Sequence, residues 1–86
     1  MYYVYILRSE TTGRLYTGFS ANLKQRLKQH FAGDVHTTSR MQKIELIFYE
    51  AFKQKVDAQG REKYFKTTKG KRALKLMLAN TLGPVV

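Results

Sequence analysis

Tyr2-Tyr3-Val4-Tyr5-Ile6-Leu7 and Leu15-Tyr16-Thr17-Gly18-Phe19 are two short runs rich in β-branched and aromatic residues, parted by Arg8-Ser9-Glu10-Thr11-Thr12-Gly13-Arg14. Such runs favour extended backbone, and a glycine between them supplies the positive φ that a tight connection often needs. The stretch therefore predicts an antiparallel hairpin. That hairpin sets the triplets Tyr3-Val4-Tyr5 and Tyr16-Thr17-Gly18 side by side, with Tyr5 and Tyr16 on neighbouring strands. Side chains alternate along a strand, so Tyr3, Tyr5 and Leu7 share one face, and Tyr2, Val4 and Ile6 the other. Both faces are apolar or aromatic, and the sheet is expected to be covered on at least part of each side.

Downstream, Ser20 is the expected N-cap of a helix over residues 21–31, with Leu23, Leu27 and Phe31 at four-residue spacing. Arg26 and His30 share a face beside that stripe, and Gly33 is placed to stop the helix. Residues 34–43 are polar and unpatterned and read as a loop. Residues 44–52 read as a third strand, Ile44, Leu46 and Phe48 alternating against Ile47, Tyr49 and Ala51. Helices follow over 55–66 and 69–80, the second with Leu74, Met77 and Leu78 inward and Lys71, Arg72 and Lys75 outward, before Gly83-Pro84 ends it. No repeat, low-complexity tract or long linker divides the chain. The expected fold is α/β of the α+β type, a small three-stranded antiparallel sheet flanked by about three helices, with residues 1–86 forming one domain.

Composition narrows the chemistry. There are no cysteines, which excludes disulfides and thiolate metal sites. No apolar run approaches the roughly 20 residues of a membrane span. The start, Met1-Tyr2-Tyr3-Val4, lacks the basic and long apolar segments of a signal peptide, so a cytoplasmic location is expected. Sixteen Lys and Arg against six Asp and Glu leave +10. Nine of those cations lie between Lys53 and Lys75, opposed only by Asp57 and Glu62. Such a cluster suits a polyphosphate partner, because binding releases condensed counterions. A merely solvated basic surface is the plainer alternative. An anionic membrane is disfavoured, since no strongly apolar face accompanies the charge.

Within this frame, Glu62 is the least comfortable residue. On a 3.6-residue period Ala58, Glu62 and Phe65 lie on one face, which puts a carboxylate inside an apolar stripe. Burial of that kind is costly unless the group is paired or binds a cation. A salt bridge to a nearby Lys or Arg explains it equally, and a single acid argues against two-metal catalysis. Tyr5 and Tyr16 can act as hydrogen-bonding phenols, or as a base if one pKa is lowered by Arg26 or a metal. Packing in a strand is their alternative role. Arg26 offers a guanidinium fork for a phosphate gaining charge, and His30 can orient water or relay a proton; singly, both are ordinary helix-surface residues. Gly18 either admits close backbone approach to a ligand or marks a bend. Gly-rich phosphate loops, His/Cys zinc spacings and Ser nucleophile motifs are absent.

The ordered set Tyr5, Tyr16, Gly18, Arg26, His30 and Glu62 resembles the GIY-YIG nuclease domain, above all its small stand-alone bacterial members. Residues 16–27, Tyr-Thr-Gly-Phe-Ser-Ala-Asn-Leu-Lys-Gln-Arg-Leu, resemble the family's second motif running into its first helix. Residues 60–66, Gly-Arg-Glu-Lys-Tyr-Phe-Lys, resemble its acidic helix. The first triplet departs from the pattern by carrying Tyr3 in place of a leading glycine, the second by Thr17 at its middle position, and Asn80 lies far along the last helix. The resemblance implies hydrolysis of a DNA phosphodiester with one divalent cation, Mg²⁺ or Mn²⁺, held by Glu62. Tyr16 would be the base or water-orienting group, and Tyr5 its support or a phosphate ligand. Arg26 would stabilise the pentavalent phosphorus and His30 would assist at the nucleophile. Gly18, Lys63, Lys66, Lys69, Lys71 and Arg72 are the expected nucleic-acid contacts. Relatives usually gain substrate choice from attached domains, so either the chain's own basic helices or a targeting protein partner would supply it, with repair or recombination as the family-level role. A non-catalytic nucleic-acid-binding module on the same fold is the rival reading, and a small protein docking on an acidic partner a third.

Overall fold

The computed structural model of the chain describes residues 1–83, so Pro84 of the expected terminal Gly-Pro stop lies outside the described residues. Three strands, β1 (Tyr2–Ser9), β2 (Leu15–Ser20) and β3 (Ile44–Phe52), form one antiparallel sheet in the order β2-β1-β3. Between them and after them come α1 (Leu23–Phe31), α2 (His36–Ser39), α3 (Lys55–Phe65), α4 (Thr68–Met77) and α5 (Ala79–Leu82). The α+β class and the three-stranded sheet are as the periodicity predicts.

The hairpin forms as expected. Gly13 takes φ +74°, its N–H bonds the Ser9 carbonyl at 2.8 Å, and the Ser9 N–H bonds Arg14 O at 2.9 Å. Tyr5 pairs with Gly18 and Leu7 with Tyr16, which puts Tyr5 and Tyr16 on one face of adjacent strands. On the other face Val4 and Ile6 join Ala58, Phe65, Leu74 and Leu78 in a buried cluster, with Phe19, Phe48 and Phe52 packed against it. All four residues from Val4 to Leu7 are fully buried, so both faces of the central strand are covered.

Several local readings change. Strand β3 carries a bulge: Ile6 pairs with Phe48 but Leu7 with Leu46, which leaves Ile47 without a partner. Leu46 and Phe48 therefore lie on opposite faces, where simple alternation put them on one. The α1 helix starts two residues later than expected. Ser20 Oγ accepts from the Asn22 N–H at 3.0 Å, and Asn22 Oδ1 is the cap, accepting the Gln25 N–H at 3.1 Å. Its end is a Schellman stop, with Gly33 at φ +80°, Gly33 N–H bonded to His30 O and Asp34 N–H to Gln29 O. Phe31 is left exposed, and His30 takes the buried place on that helix. The expected 34–43 loop contains the short α2.

The last helix is broken rather than continuous. Leu78 leaves helical geometry (φ −107°, ψ 26°), so α4 and α5 are separate segments. Leu74 and Leu78 point inward as predicted, but Met77 is exposed. Gly70 sits so close to the end of α3 that a Cβ there would overlap the Tyr64 carbonyl, which makes α4 fold tightly back on α3. Among the described residues no helix is long and apolar enough to cross a membrane.

Candidate active site

The face of the sheet away from α3 and α4 carries a buried polar network. Tyr5, fully buried, places its hydroxyl 2.6 Å from His30 Nε2. His30 Nδ1 lies 2.7 Å from Thr38 Oγ1, and the Thr38 hydroxyl points to Val35 O at 3.4 Å. The Thr38 contact with the Val35 carbonyl favours the tautomer in which the Thr38 oxygen accepts the His30 Nδ1–H and Nε2 accepts from Tyr5; the opposite tautomer would reverse both bonds. His30 is 1% exposed and Thr38 likewise 1%. One strand, β1, and the helices α1 and α2 each supply one partner, and each polar side chain from Tyr5 to Thr38 has a partner, as buried polar groups require.

The rings are packed as tightly as the hydrogen bonds. Tyr16 and His30 meet edge-to-face with centroids 5.1 Å apart, Tyr5 and His30 at 5.5 Å, and Tyr5 and Tyr16 at 6.3 Å. Gly18 is explained by this packing: a Cβ there would overlap the Tyr5 ring, so its lack of a side chain makes room for the phenol rather than a bend. Gly18 is itself buried, unlike the expected lysine and arginine contacts. Tyr16 and Arg26 are half-buried and stand at the boundary between network and solvent. Arg26 Nη1 donates to Gln29 Oε1 at 2.9 Å, which holds the guanidinium along α1.

Electrostatics separates the two phenols' surroundings. Burial pushes the Tyr5 hydroxyl up to about 12, against the opposing pull of the Arg26 guanidinium and with a further rise from Tyr16. Tyr5 is therefore a neutral donor at ordinary pH and not a base. Burial, reinforced by the Arg26 cation, holds His30 below the usual imidazole value, so it stays neutral. This corrects the picture of His30 as a helix-surface residue free to meet water: both of its ring nitrogens are engaged inside the protein.

Glu62 does not join this network. Its helix packs through Ala58 and Phe65 against the Val4–Ile6 face and also contacts β2, the strand that carries Tyr16. The Glu62 side chain is 23% exposed and its Oε2 receives Lys66 Nζ at 3.2 Å, the bridge of the plainer reading. Among the described residues no group of three or more His, Cys, Asp or Glu gathers to hold a metal. One half-buried carboxylate does fit a hydrated divalent cation whose other positions go to water and phosphate. Of the expected nucleic-acid contacts, Lys63, Lys66, Lys69, Lys71 and Arg72 are all exposed. Lys71 and Arg72 border, with Arg8 and Lys75, a cavity of about 970 Å³ beside α4 and α5. Nearby Arg61 is spoken for, bonding Glu50 at 2.8 Å and lying over the Phe65 ring at 4.3 Å.

Thr38 is the member of the network that sequence reasoning misses. It lies in a polar, aperiodic stretch, and no spacing rule links it to His30 across a helix stop.

A three-stranded sheet with paired tyrosines, a following helix bearing Arg and His, and a later helix bearing Glu defines a nuclease-type fold. The family model for the GIY-YIG catalytic domain matches residues 1–75, and the chain belongs to the GIY-YIG family. It is similar to a UPF0213 protein of Pediococcus acidilactici, 38% identical over 77% of this chain and 70% of the relative. A UPF0213 protein of Clostridium perfringens is 35% identical over 95% of this chain and 88% of its own length. The solution NMR structure of a UPF0213 protein from Bacillus halodurans superposes with a TM-score of 0.58 at 29% identity, covering 98% of this chain and 89% of the other.

Proposed function

We propose that the protein is a divalent-cation-dependent DNA endonuclease hydrolysing phosphodiester bonds within a domain spanning residues 1–86. The observation that carries the reading is that Tyr16 and Arg26, both half-buried, each lie against the Tyr5 hydroxyl, at the edge of a network that holds Tyr5 and His30 in neutral forms. In this reading Arg26 binds the phosphate and stabilises the charge that grows on its oxygens. Tyr16, the accessible phenol, orients the attacking water and takes part in removing its proton. Water forms the new P–O bond, and the bond to one sugar oxygen breaks. Tyr5 and His30 touch neither atom; they hold the Tyr16 ring by packing and hydrogen bonding.

Glu62 would hold Mg²⁺ or Mn²⁺ after yielding its Lys66 partner, and the cation would supply Lewis-acid polarisation of the phosphate. The exposed cations Lys63, Lys66, Lys69, Lys71 and Arg72, and a net charge of +10, support DNA as the polyanion. A cytoplasmic location, a place in repair or recombination and a separate targeting partner remain parts of the same proposal.

The test is cleavage of labelled duplex, single-stranded and branched DNA with Mg²⁺ or Mn²⁺, beside an EDTA control and Glu62→Ala checked by circular dichroism. Cutting that needs both cation and Glu62 supports the nuclease. Tight, salt-sensitive binding without cutting on every substrate would replace it with the non-catalytic binding module.

A further inference from the structure

Tyr49 is 53% exposed on β3. Its ring lies 6.2 Å from that of Tyr3, tilted 58°, and neither belongs to the core cluster. The two tyrosines wall a cavity of about 400 Å³ whose other side is Leu23 and Leu27 of α1, with Asn22 and Lys24 alongside. That volume falls within the roughly 300–1,000 Å³ typical of small-ligand sites. Tyr49 pairs directly with Tyr5, and Tyr3 precedes Tyr5 by two residues, so the shelf shares the sheet face of the catalytic network. Along the strand it stands roughly 7 Å from Tyr5.

The shelf presents two aromatic faces, an apolar wall and one exposed ammonium. A flat π-system carrying an anionic tether matches all three. A duplex keeps its bases stacked inside the helix, so only an unpaired nucleotide can offer one. Every base has a π-face, which makes such a platform tolerant of sequence. We propose that the exposed Tyr49 ring stacks the base of an unpaired nucleotide while the tilted Tyr3 ring meets the base's edge, beside the phosphate held at Arg26 and with Lys24 on the adjoining phosphate. The substrate class is then DNA that is single-stranded or locally unpaired. The proposal rests on the nuclease reading above and sharpens it.

The test is anisotropy of a labelled duplex bearing one bulged adenosine, beside the same duplex with an abasic residue in the bulge, both in EDTA. Wild-type protein is expected to bind the base-bearing bulge about tenfold more tightly. Tyr49→Ala should erase that advantage and Tyr49→Phe should keep it, each with an unchanged dichroism spectrum. Equal wild-type affinity for the two bulges, or an advantage surviving in Tyr49→Ala, would overturn the shelf. Its loss in Tyr49→Phe would also overturn stacking, by assigning the contact to the hydroxyl. Cleavage with Mg²⁺ is scored separately. Base-dependent binding without cutting would sink the nuclease and leave the shelf, whereas cutting without base-dependent binding would do the reverse.

Discussion

The two faces of the central strand are equally buried and built on opposite principles. Val4 and Ile6 face an apolar cluster closed by Ala58, Phe65, Leu74 and Leu78, where burial alone contributes stability. Tyr5 faces His30 and Thr38, where each atom's burial is tolerable only because a partner meets it. The first face forgives changes of shape more than the second forgives changes of polarity. The comparison teaches where stability and chemistry sit: one side holds the domain together, and the other fixes protonation states.

The largest expected effect lies on the apolar side. Phe65→Ala should cost about 3–5 kcal/mol in urea unfolding, a large share of the ~5–15 kcal/mol typical of a whole domain. A loss below about 1 kcal/mol would mean that α3 is not the keystone of that face. On the polar side, Arg26→Ala should lower cleavage by about 100- to 1,000-fold, the cost of removing one transition-state donor. Its thermal midpoint should move less than that of Phe65→Ala, since Arg26 is half-buried and its partners are the Gln29 side chain and the Tyr5 hydroxyl rather than the apolar core. Undiminished cutting would remove Arg26 from the chemistry.

Thr38→Val sharpens the contrast, because it keeps the volume and removes only the hydroxyl. Leaving His30 Nδ1 without its buried partner should cost about 1–3 kcal/mol, and Thr38→Ser should recover most of it. The ¹⁵N shifts of the His30 ring should report the Nδ1–H tautomer in wild type and Thr38→Ser, and a changed state in Thr38→Val. An unaltered ring spectrum in Thr38→Val would show that Thr38 does not set the tautomer.

The smallest effect is on the pH profile of stability. His30 is held below its ordinary 6.5 by burial, so the unfolded chain binds the proton first. Its contribution is present above about pH 6.5 and is lost as pH falls through the lower folded value. Tyr5 shifts the other way, from 10.0 to about 12, so its contribution is present below pH 10 and lost as pH rises toward 12. Chemical unfolding measured across pH should show both limbs, and Tyr5→Phe should flatten the alkaline one.

Much of this was readable from local pattern. The hairpin, the three strands and the placing of Tyr5 and Tyr16 on neighbouring strands follow from alternation plus one glycine turn. The inward Ala58 and Phe65 follow from helical period. What escaped depends on contacts distant in sequence. His30 looked like a surface residue because α1 is short and polar, and it is the sheet tyrosines on one side and α2 on the other that enclose it. Asn22 outcompeted Ser20 as cap because Ser20 still belongs to β2. Glu62 fell on the predicted face, yet its lysine one turn later satisfies it locally. The break at Leu78 likewise had no marker, since neither Gly nor Pro stands there.

The unpaired Ile47 gives β3 one residue of slack relative to β1. Deleting Ile47 would leave a regular ladder with Leu46, Phe48 and Tyr49 still facing as they do now. The same deletion at Glu50 would invert everything beyond it, turning Ala51 toward α3 and Phe52 away. Length changes among relatives can therefore be absorbed at this single position without inverting either face, at the cost of the Ile47 side chain's packing against the core, and should be poorly tolerated in the residues that follow.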